Sequence, residues 1–129
     1  MIGNCFFFAT PPNGEHLFVV LAPSGNPDAY VCVNITERDA SSDTTCEVAQ
    51  AEHAVLTKPV SIVAYAWARE LPLRLIERLV KAQNLPTVSE ALLLRIQRGG
   101  LSRTSRLKKG FQAAIAAHLE SARSAPEAL

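Results

Sequence analysis

The sequence predicts an α+β fold in which a small antiparallel β-barrel is followed by three amphipathic helices. Up to about residue 65, short runs rich in Val, Ile, Phe and Tyr alternate with Pro, Gly, Asn and Asp, a pattern typical of strands joined by tight turns. After Trp67, apolar residues recur with helical spacing instead. We therefore expect a barrel over 1–68, a helical subdomain packed on it over 69–123, and a frayed tail over 124–129.

Strands are predicted in the first half at residues 4–9, 16–21, 29–35, 45–48, 53–56 and 60–66. Turn sequences at 11–14 and 23–28 separate the first three, which indicates an antiparallel meander. A polar surface loop is expected over 36–44. Five or six short strands are enough for a small closed or half-closed barrel, and closure removes exposed strand edges.

Helices are predicted in the second half from periodic apolar faces. The first follows Pro72 and ends before Pro86, with an apolar face formed by Leu73, Ile76, Leu79 and Val80. The second begins with the capping-box sequence Thr87-Val88-Ser89-Glu90 and ends at Arg98, before two glycines. The third is expected over about 102–122, with an apolar face formed by Leu107, Phe111, Ala114, Ile115, His118 and Leu119.

Charge is divided unevenly between the halves of the 129-residue chain, although its net charge is only +1. Residues 1–57 carry one base and seven acids, a net −6, whereas residues 58–129 carry 12 bases and five acids, a net +7. Such an asymmetry indicates either that the two halves attract each other or that one half contacts an anionic partner.

Composition excludes several classes of protein. With 48% hydrophobic residues the chain is not expected to be disordered, and no apolar run is long enough to cross a membrane. The N-terminus has no basic segment of a secretory signal, and Cys5, Cys32 and Cys46 form no C-x-x-C pair. We therefore expect a cytoplasmic protein with buried thiols. The motifs of P-loop nucleotide binding, zincin chemistry and α/β-hydrolases are absent from the sequence.

The first candidate site combines His16, at the start of the second strand, with Thr36, at the end of the third. Antiparallel pairing can bring these positions together. An imidazole can transfer protons near neutral pH, and a hydroxyl can orient a phosphate. The alternative is that His16 is a solvated residue and Thr36 a turn former.

The second candidate pairs Cys46 with His53, which would permit covalent catalysis or, together with His16, zinc binding. The simpler interpretation is a buried thiol beside a turn histidine.

The third candidate is a basic segment without any acid, formed by Arg95, Arg98, Arg103, Arg106, Lys108 and Lys109. It can neutralise phosphates of a nucleic acid, or it can be a solvated face that offsets the acidic half of the chain.

The first half resembles the PemK/MazF-like toxin family. The similar segments are Glu15-His16-Leu17-Phe18-Val19-Val20-Leu21, Val31-Cys32-Val33-Asn34-Ile35-Thr36, Asp43-Thr44-Thr45-Cys46, Glu52-His53-Ala54, and 60–65 with Ser61, Val63 and Tyr65. Thr36 matches the family's hydroxyl residue, whereas His16-Leu17 stands in the place of the Arg-Pro pair and Ala51 in that of a glycine. The resemblance covers about residues 4–70 and does not include the helices.

This resemblance implies an SH3-like barrel that cleaves single-stranded RNA without a metal or cofactor, forms a homodimer and pairs with an antitoxin protein. It implies catalytic roles for His16, Thr36 and His53, with positive charge from Arg38 or Lys58. The leading prediction is thus a toxin-related endoribonuclease. A non-catalytic module that binds nucleic acid or protein through the basic helices is the alternative, and a structural protein whose halves attract each other is the third possibility.

Overall fold

A computed structural model describes residues 1–10, 14–39 and 42–124 and has the predicted α+β class. The strands are β1 (Cys5–Ala9), β2 (Glu15–Pro23), β3 (Ala29–Glu37), β4 (Glu47–Ala49) and β5 (Val60–Pro72). The helices are α1 (Leu73–Gln83), α2 (Glu90–Gly100) and α3 (Lys109–Ser124), and a short 3-10 turn spans Gln50–Glu52. None of the helices in the described ranges is both long and apolar enough to cross a membrane.

All strand pairs are antiparallel, and the sheet has the order β1-β2-β3-β5-β4. Within the described residues β1 and β4 are the two edges and do not pair, so the sheet is not closed into a barrel. At the β1 edge, a side chain takes the place of a neighbouring strand: Gln83 donates to the carbonyl of Phe7 at 2.8 Å and accepts from its N–H at 2.5 Å. An edge whose backbone groups are paired in this way is protected from association with another strand.

Helices cover both faces of the sheet. One face carries Leu17, Val19, Val33 and Val63 and packs against Leu92 and Ile96 of α2 and Ile115 of α3. The other face carries Phe6, Phe18, Val20 and Cys32 and packs against Ile76 and its neighbours in α1. Because α1 is only 11 residues long, it covers one end of its face and leaves the other end open.

Several boundaries differ from those expected. Residues 53–56 form a turn rather than a strand, and α2 is capped by Ser89, whose hydroxyl accepts from the Leu92 N–H at 3.1 Å, rather than by Thr87. Helix α3 begins at Lys109 because 101–108 form turns and an extended stretch. Strand β5 extends to Pro72 and so crosses the boundary that was expected between the barrel (1–68) and the helical subdomain (69–123). The expected tail at 124–129 lies outside the described residues except for Ser124.

A large bulge divides β5 in two. Ala64 pairs with Asn34, whereas the next paired residue, Arg69, lies opposite Cys32. Four residues of β5, 65–68, thus stand opposite Val33 alone. Bulges of this kind redirect side chains and are common beside functional sites.

Tyr65 anchors the bulge to α2. Its ring is buried, and its hydroxyl donates to the carbonyl of Ile96 at 2.6 Å. Burial raises the pKa of this hydroxyl far above its usual value, so it remains a donor. The ring lies against Gly99, where any Cβ would overlap the Tyr65 hydroxyl. A glycine inside a helix lowers its stability, and the close approach of Tyr65 explains why one stands here.

We expect Gly99→Ala to lower the free energy of unfolding by about 1–3 kcal/mol, because the added methyl group displaces Tyr65. The matched control is Gly110→Ala in α3, where an added Cβ meets no heavy atom within 4 Å. Urea unfolding measures both. In the Tyr65→Phe background, which lacks the overlapping hydroxyl, the cost of Gly99→Ala should decrease; an equal cost in both backgrounds would contradict this explanation.

Candidate functional site

The open end of the sheet face beside α1 forms a groove with a volume of about 350 Å³, which we call the open-face groove. Its floor is formed by alternate residues of three strands, His16, Phe18, Asn34, Thr36, Ile62 and Ala64. Its rim comprises Thr10, Glu37, Asp39, Ser42, Asp43, Ala66, Trp67, Arg69 and Arg106. Phe18 also belongs to the core under α1, so the groove floor continues directly into the packed interior.

Strand register brings His16 and Thr36 to the same groove. Leu17 pairs with Ile35 and Phe18 with Asn34, so the next positions outward along the two strands are His16 and Thr36. Residues opposite each other on antiparallel strands share a face. Both side chains are half-buried and line the groove. The structure thus brings together the two residues of the first sequence candidate.

Two hydrogen-bond acceptors in the groove are buried and unpaired. The side-chain oxygen Oδ1 of Asn34 and the carboxylate oxygen Oδ2 of Asp43 have no hydrogen-bond partner among the residues described. Asn34 is only 5% exposed. A buried acceptor without a partner costs about 1–3 kcal/mol, and structures usually pair such atoms with water or a ligand. These two atoms therefore identify the groove as a place where a ligand can bind.

The bulge of β5 places an aromatic side chain at the groove rim. Trp67 is 59% exposed, which is unusual for a residue of its size. Arg69 follows it and Arg106 faces the same groove. Trp67 also borders a second depression of about 370 Å³, which includes Lys108 and Phe111. The Lys108 ammonium lies 5.8 Å from the centre of the Phe111 ring. The exposed indole thus borders two depressions that also contain the cationic side chains of Arg69, Arg106 and Lys108.

His53 lies away from the open-face groove, so the structure does not bring it together with His16 and Thr36. Its ring is 5% exposed. Nδ1 accepts from the Val55 N–H at 3.3 Å, which leaves the proton on Nε2, 2.9 Å from the carbonyl of Pro86. Both ring nitrogens are occupied within the protein, which indicates a structural role.

The thiol beside His53 is that of Cys5, at 3.8 Å, and not that of Cys46. Burial raises the pKa of Cys5 to about 12, so this thiol stays protonated at neutral pH. All three cysteines are buried and free, as the sequence predicts. Within the described ranges, no group of three side chains is arranged to hold a metal ion.

The basic residues expected to bind RNA are dispersed. Arg106 lines the open-face groove, Lys108 lies beyond Trp67, and Lys58, Arg98, Arg103 and Lys109 are exposed elsewhere. Arg38 lies 3.6 Å from Glu47. Arg95 binds both carboxylate oxygens of Glu52, at 2.5 and 2.7 Å, and also the Glu47 carbonyl, so it fastens α2 to the edge of the sheet.

Among the groove residues that sequence reasoning missed are Asn34, Glu37, Asp43, Trp67 and Arg69. One signal was visible, since Asn34 is a polar residue inside the apolar run Val31-Cys32-Val33-Asn34-Ile35, where a ladder of buried side chains is otherwise expected. The positions of Trp67 and Arg69 depend on the bulge, which no local pattern indicates.

No protein-family model matches this sequence. No curated protein matches it significantly either. The groove is therefore interpreted from its own chemistry.

We expect the Arg95–Glu52 pair to stabilise the fold by about 0.2–1 kcal/mol at pH 7, the range of exposed ion pairs. The hydrogen bond from Arg95 lowers the pKa of Glu52 below its usual 4.5. A lowered folded-state pKa means that the stabilisation is complete above about pH 4.5 and is lost as the pH falls through the folded pKa. Urea unfolding should thus show a lower stability of Arg95→Met than of the wild type at pH 7, and this deficit should be smaller at pH 3.

The control for this prediction is Arg98→Met, on the same helix and without an ion pair within the described residues. Its free energy of unfolding relative to the wild type should be the same at pH 7 and at pH 3. A deficit of Arg95→Met that is equal at both pH values would assign the effect to packing and not to charge.

Proposed function

We propose that the protein binds single-stranded RNA in the open-face groove and cleaves it without a metal ion, as its resemblance to the PemK/MazF-like toxins implies. The observation that carries the proposal is the composition of one surface. His16 and Thr36 lie in the groove, and the exposed Trp67 lies on its rim, which also includes Arg69 and Arg106. These are the groups that stacking, phosphate binding and proton transfer require.

Binding would use the indole and the cations together. Single-stranded nucleic acids are held by aromatic side chains that stack on bases and by positive charges that follow the phosphates. Trp67 is the exposed aromatic residue of this surface, and Arg69, Arg106 and Lys108 lie around it. The sequence alone indicated positive charge but no stacking residue within the basic segment. Trp67 supplies the missing stacking surface from β5.

Cleavage would proceed by attack of a ribose 2′-hydroxyl on the adjacent phosphorus. The new bond closes a 2′,3′-cyclic phosphate while the bond to the 5′-oxygen breaks, and this oxygen receives a proton as it leaves. His16 would serve as the acid or the base and Thr36 would orient the phosphate. Arg69 or Arg106 would stabilise the charge that develops on the phosphoryl oxygens.

The second proton-transfer group would come from the groove and not from His53, whose ring nitrogens are already engaged. Glu37 follows Thr36, lines the groove and is exposed. A carboxylate there can accept the 2′-hydroxyl proton while His16 protonates the leaving oxygen. This arrangement replaces the pair of histidines that the sequence suggested.

The remaining implications of the resemblance belong to the same proposal. We propose that the open sheet is related to SH3-like barrels, and that the protein is cytoplasmic, forms a homodimer and binds an antitoxin protein.

A second candidate is a non-catalytic binding module. Its specific support is the presence of Glu37, Asp39 and Asp43 along the groove, since carboxylates repel phosphates and attract basic peptides. The imidazole of His16, in the place where the family has a guanidinium, also lacks the bidentate geometry that clamps a phosphate.

We expect purified protein to cleave labelled single-stranded RNA in the presence of EDTA and to leave 2′,3′-cyclic phosphate ends, which gel electrophoresis and end analysis detect. His16→Ala should lower the rate about 100-fold or more, as loss of an acid or base typically does. The control is His118→Ala on α3, outside the groove. RNA left intact by the wild type would remove the enzyme proposal, and equal rates of wild type and His16→Ala would remove His16 from it.

We expect Trp67→Ala to weaken binding of a 2′-O-methyl RNA oligonucleotide, which cannot be cleaved, by about 1–3 kcal/mol through loss of one stacked base. Arg106→Ala should weaken binding and reduce its dependence on salt concentration, because one phosphate contact is lost. Arg74→Ala on α1 is the charge-matched control. Fluorescence anisotropy measures all three; unchanged affinity of Trp67→Ala would contradict binding at this surface.

A further inference from the structure

The open-face groove contains hydrogen-bond acceptors that nothing in the described part of the chain satisfies. Asn34 Oδ1 and Asp43 Oδ2 are both buried and both belong to residues that line the groove. A ligand that binds here must bring donors to these atoms, because a second set of acceptors would leave them unpaired and would be repelled by them.

Both acceptors are held in fixed positions. The other oxygen of Asp43 accepts from the N–H and the hydroxyl of Thr45, at 2.9 and 2.6 Å. Asn34 lies in the middle of the sheet between Phe18 and Ala64. Both residues line the groove, so their unpaired oxygens lie directly beneath its surface, where a ligand's donors reach them once the neighbouring groove side chains shift.

On this basis, and resting on the proposed function, we propose that the groove recognises RNA bases that carry an exocyclic amino group and discriminates against uracil. Cytosine, adenine and guanine each bear an amino group that donates hydrogen bonds, whereas uracil has a carbonyl oxygen where cytosine has its amino group. The one base donor of uracil, N3–H, lies between two carbonyl oxygens, which the two acceptors of the groove would repel. The amino group would donate to Asp43 Oδ2 and Asn34 Oδ1.

Charge in the groove is arranged to suit such a ligand. Glu37, Asp39 and Asp43 come from the end of β3 and the segment after it, whereas Arg69 comes from β5 and Arg106 from the segment before α3. Phosphates are attracted to the arginines and repelled by the carboxylates, so the neutral base and its amino group are the part of a nucleotide that fits beside Asp43. Stacking on Trp67 would hold the base without selecting its identity.

The experiment compares 2′-O-methyl hexanucleotides of cytidine and uridine, which have the same length and charge and cannot be cleaved. Fluorescence anisotropy at low salt gives the two dissociation constants. We expect the wild type to bind the cytidine oligomer about tenfold more tightly, the discrimination typical of a specific base contact. A cytidine analogue that lacks the 4-amino group should bind as weakly as uridine, and this comparison requires no protein variant.

Asp43→Asn tests the same contact from the protein side. The amide keeps an oxygen for the two bonds from Thr45 but replaces the free acceptor by a donor, so the tenfold preference should fall to about one or reverse toward uridine. Glu37→Gln is the matched control, because it removes the same charge from an exposed side chain in the same groove. It should change the affinity for both oligomers by a similar factor and leave their ratio intact. Thermal unfolding verifies that both variants are folded.

The possible failures are distinct. Equal, measurable affinity of the wild type for the two oligomers would overturn base recognition and leave RNA binding in place. A preference for cytidine that Asp43→Asn does not change, in a folded variant, would overturn the assignment of Asp43. Binding of an arginine-rich peptide with no binding of either oligomer would overturn this inference and the RNA function together, since the guanidinium groups would then be the donors.

Discussion

The interruption of β5 at 65–68 is the constraint on which both the core and the groove depend. Tyr65 continues the regular alternation that places Val63 in the core, and its hydroxyl reaches the Ile96 carbonyl. Because four residues stand opposite one, this alternation then stops, and Trp67, two residues after Tyr65, lies on the groove rim. The strand then resumes beside β3 and leads directly into α1. The interruption therefore follows directly on the residue that joins the sheet to α2, and it exposes the indole at the groove.

The alternation of strands and the periodicity of helices were sufficient to predict the class and order of most elements. The predictions that differ from the structure concern places where a contact with a distant part of the chain determines the local conformation. Residues 53–56 resemble a strand in composition but form a turn whose histidine binds the carbonyl of Pro86. The capping sequence offered two hydroxyls, and Ser89 caps α2. Strand number favoured a closed or half-closed barrel; the described sheet is open, and the side chain of Gln83 occupies its β1 edge.

The residues of the candidate site also differ in whether local sequence patterns predict them. His16 and Thr36 were predictable together, because simple antiparallel register relates the start of one strand to the end of the next. Trp67 and Arg69 were not, because their positions follow from the bulge. Asp43 lies in a segment that its sequence describes only as a polar loop, and Thr45 holds one of its two carboxylate oxygens. Local patterns therefore identified residues that lie within regular strands and missed those that irregular backbone places beside them.

The unequal charge of the two halves is explained only in part by attraction between them. Arg95 and Glu52 form an ion pair between the halves, whereas Arg38 and Glu47 both belong to the acidic half. Arg106 makes no ion pair within the described residues, and it borders the same groove as the carboxylate of Asp43. A simple anion would satisfy the arginine and be repelled by the carboxylate, and a simple cation would do the reverse. A ligand with an anionic backbone and neutral, donor-bearing groups satisfies both, and a single-stranded nucleic acid has this composition.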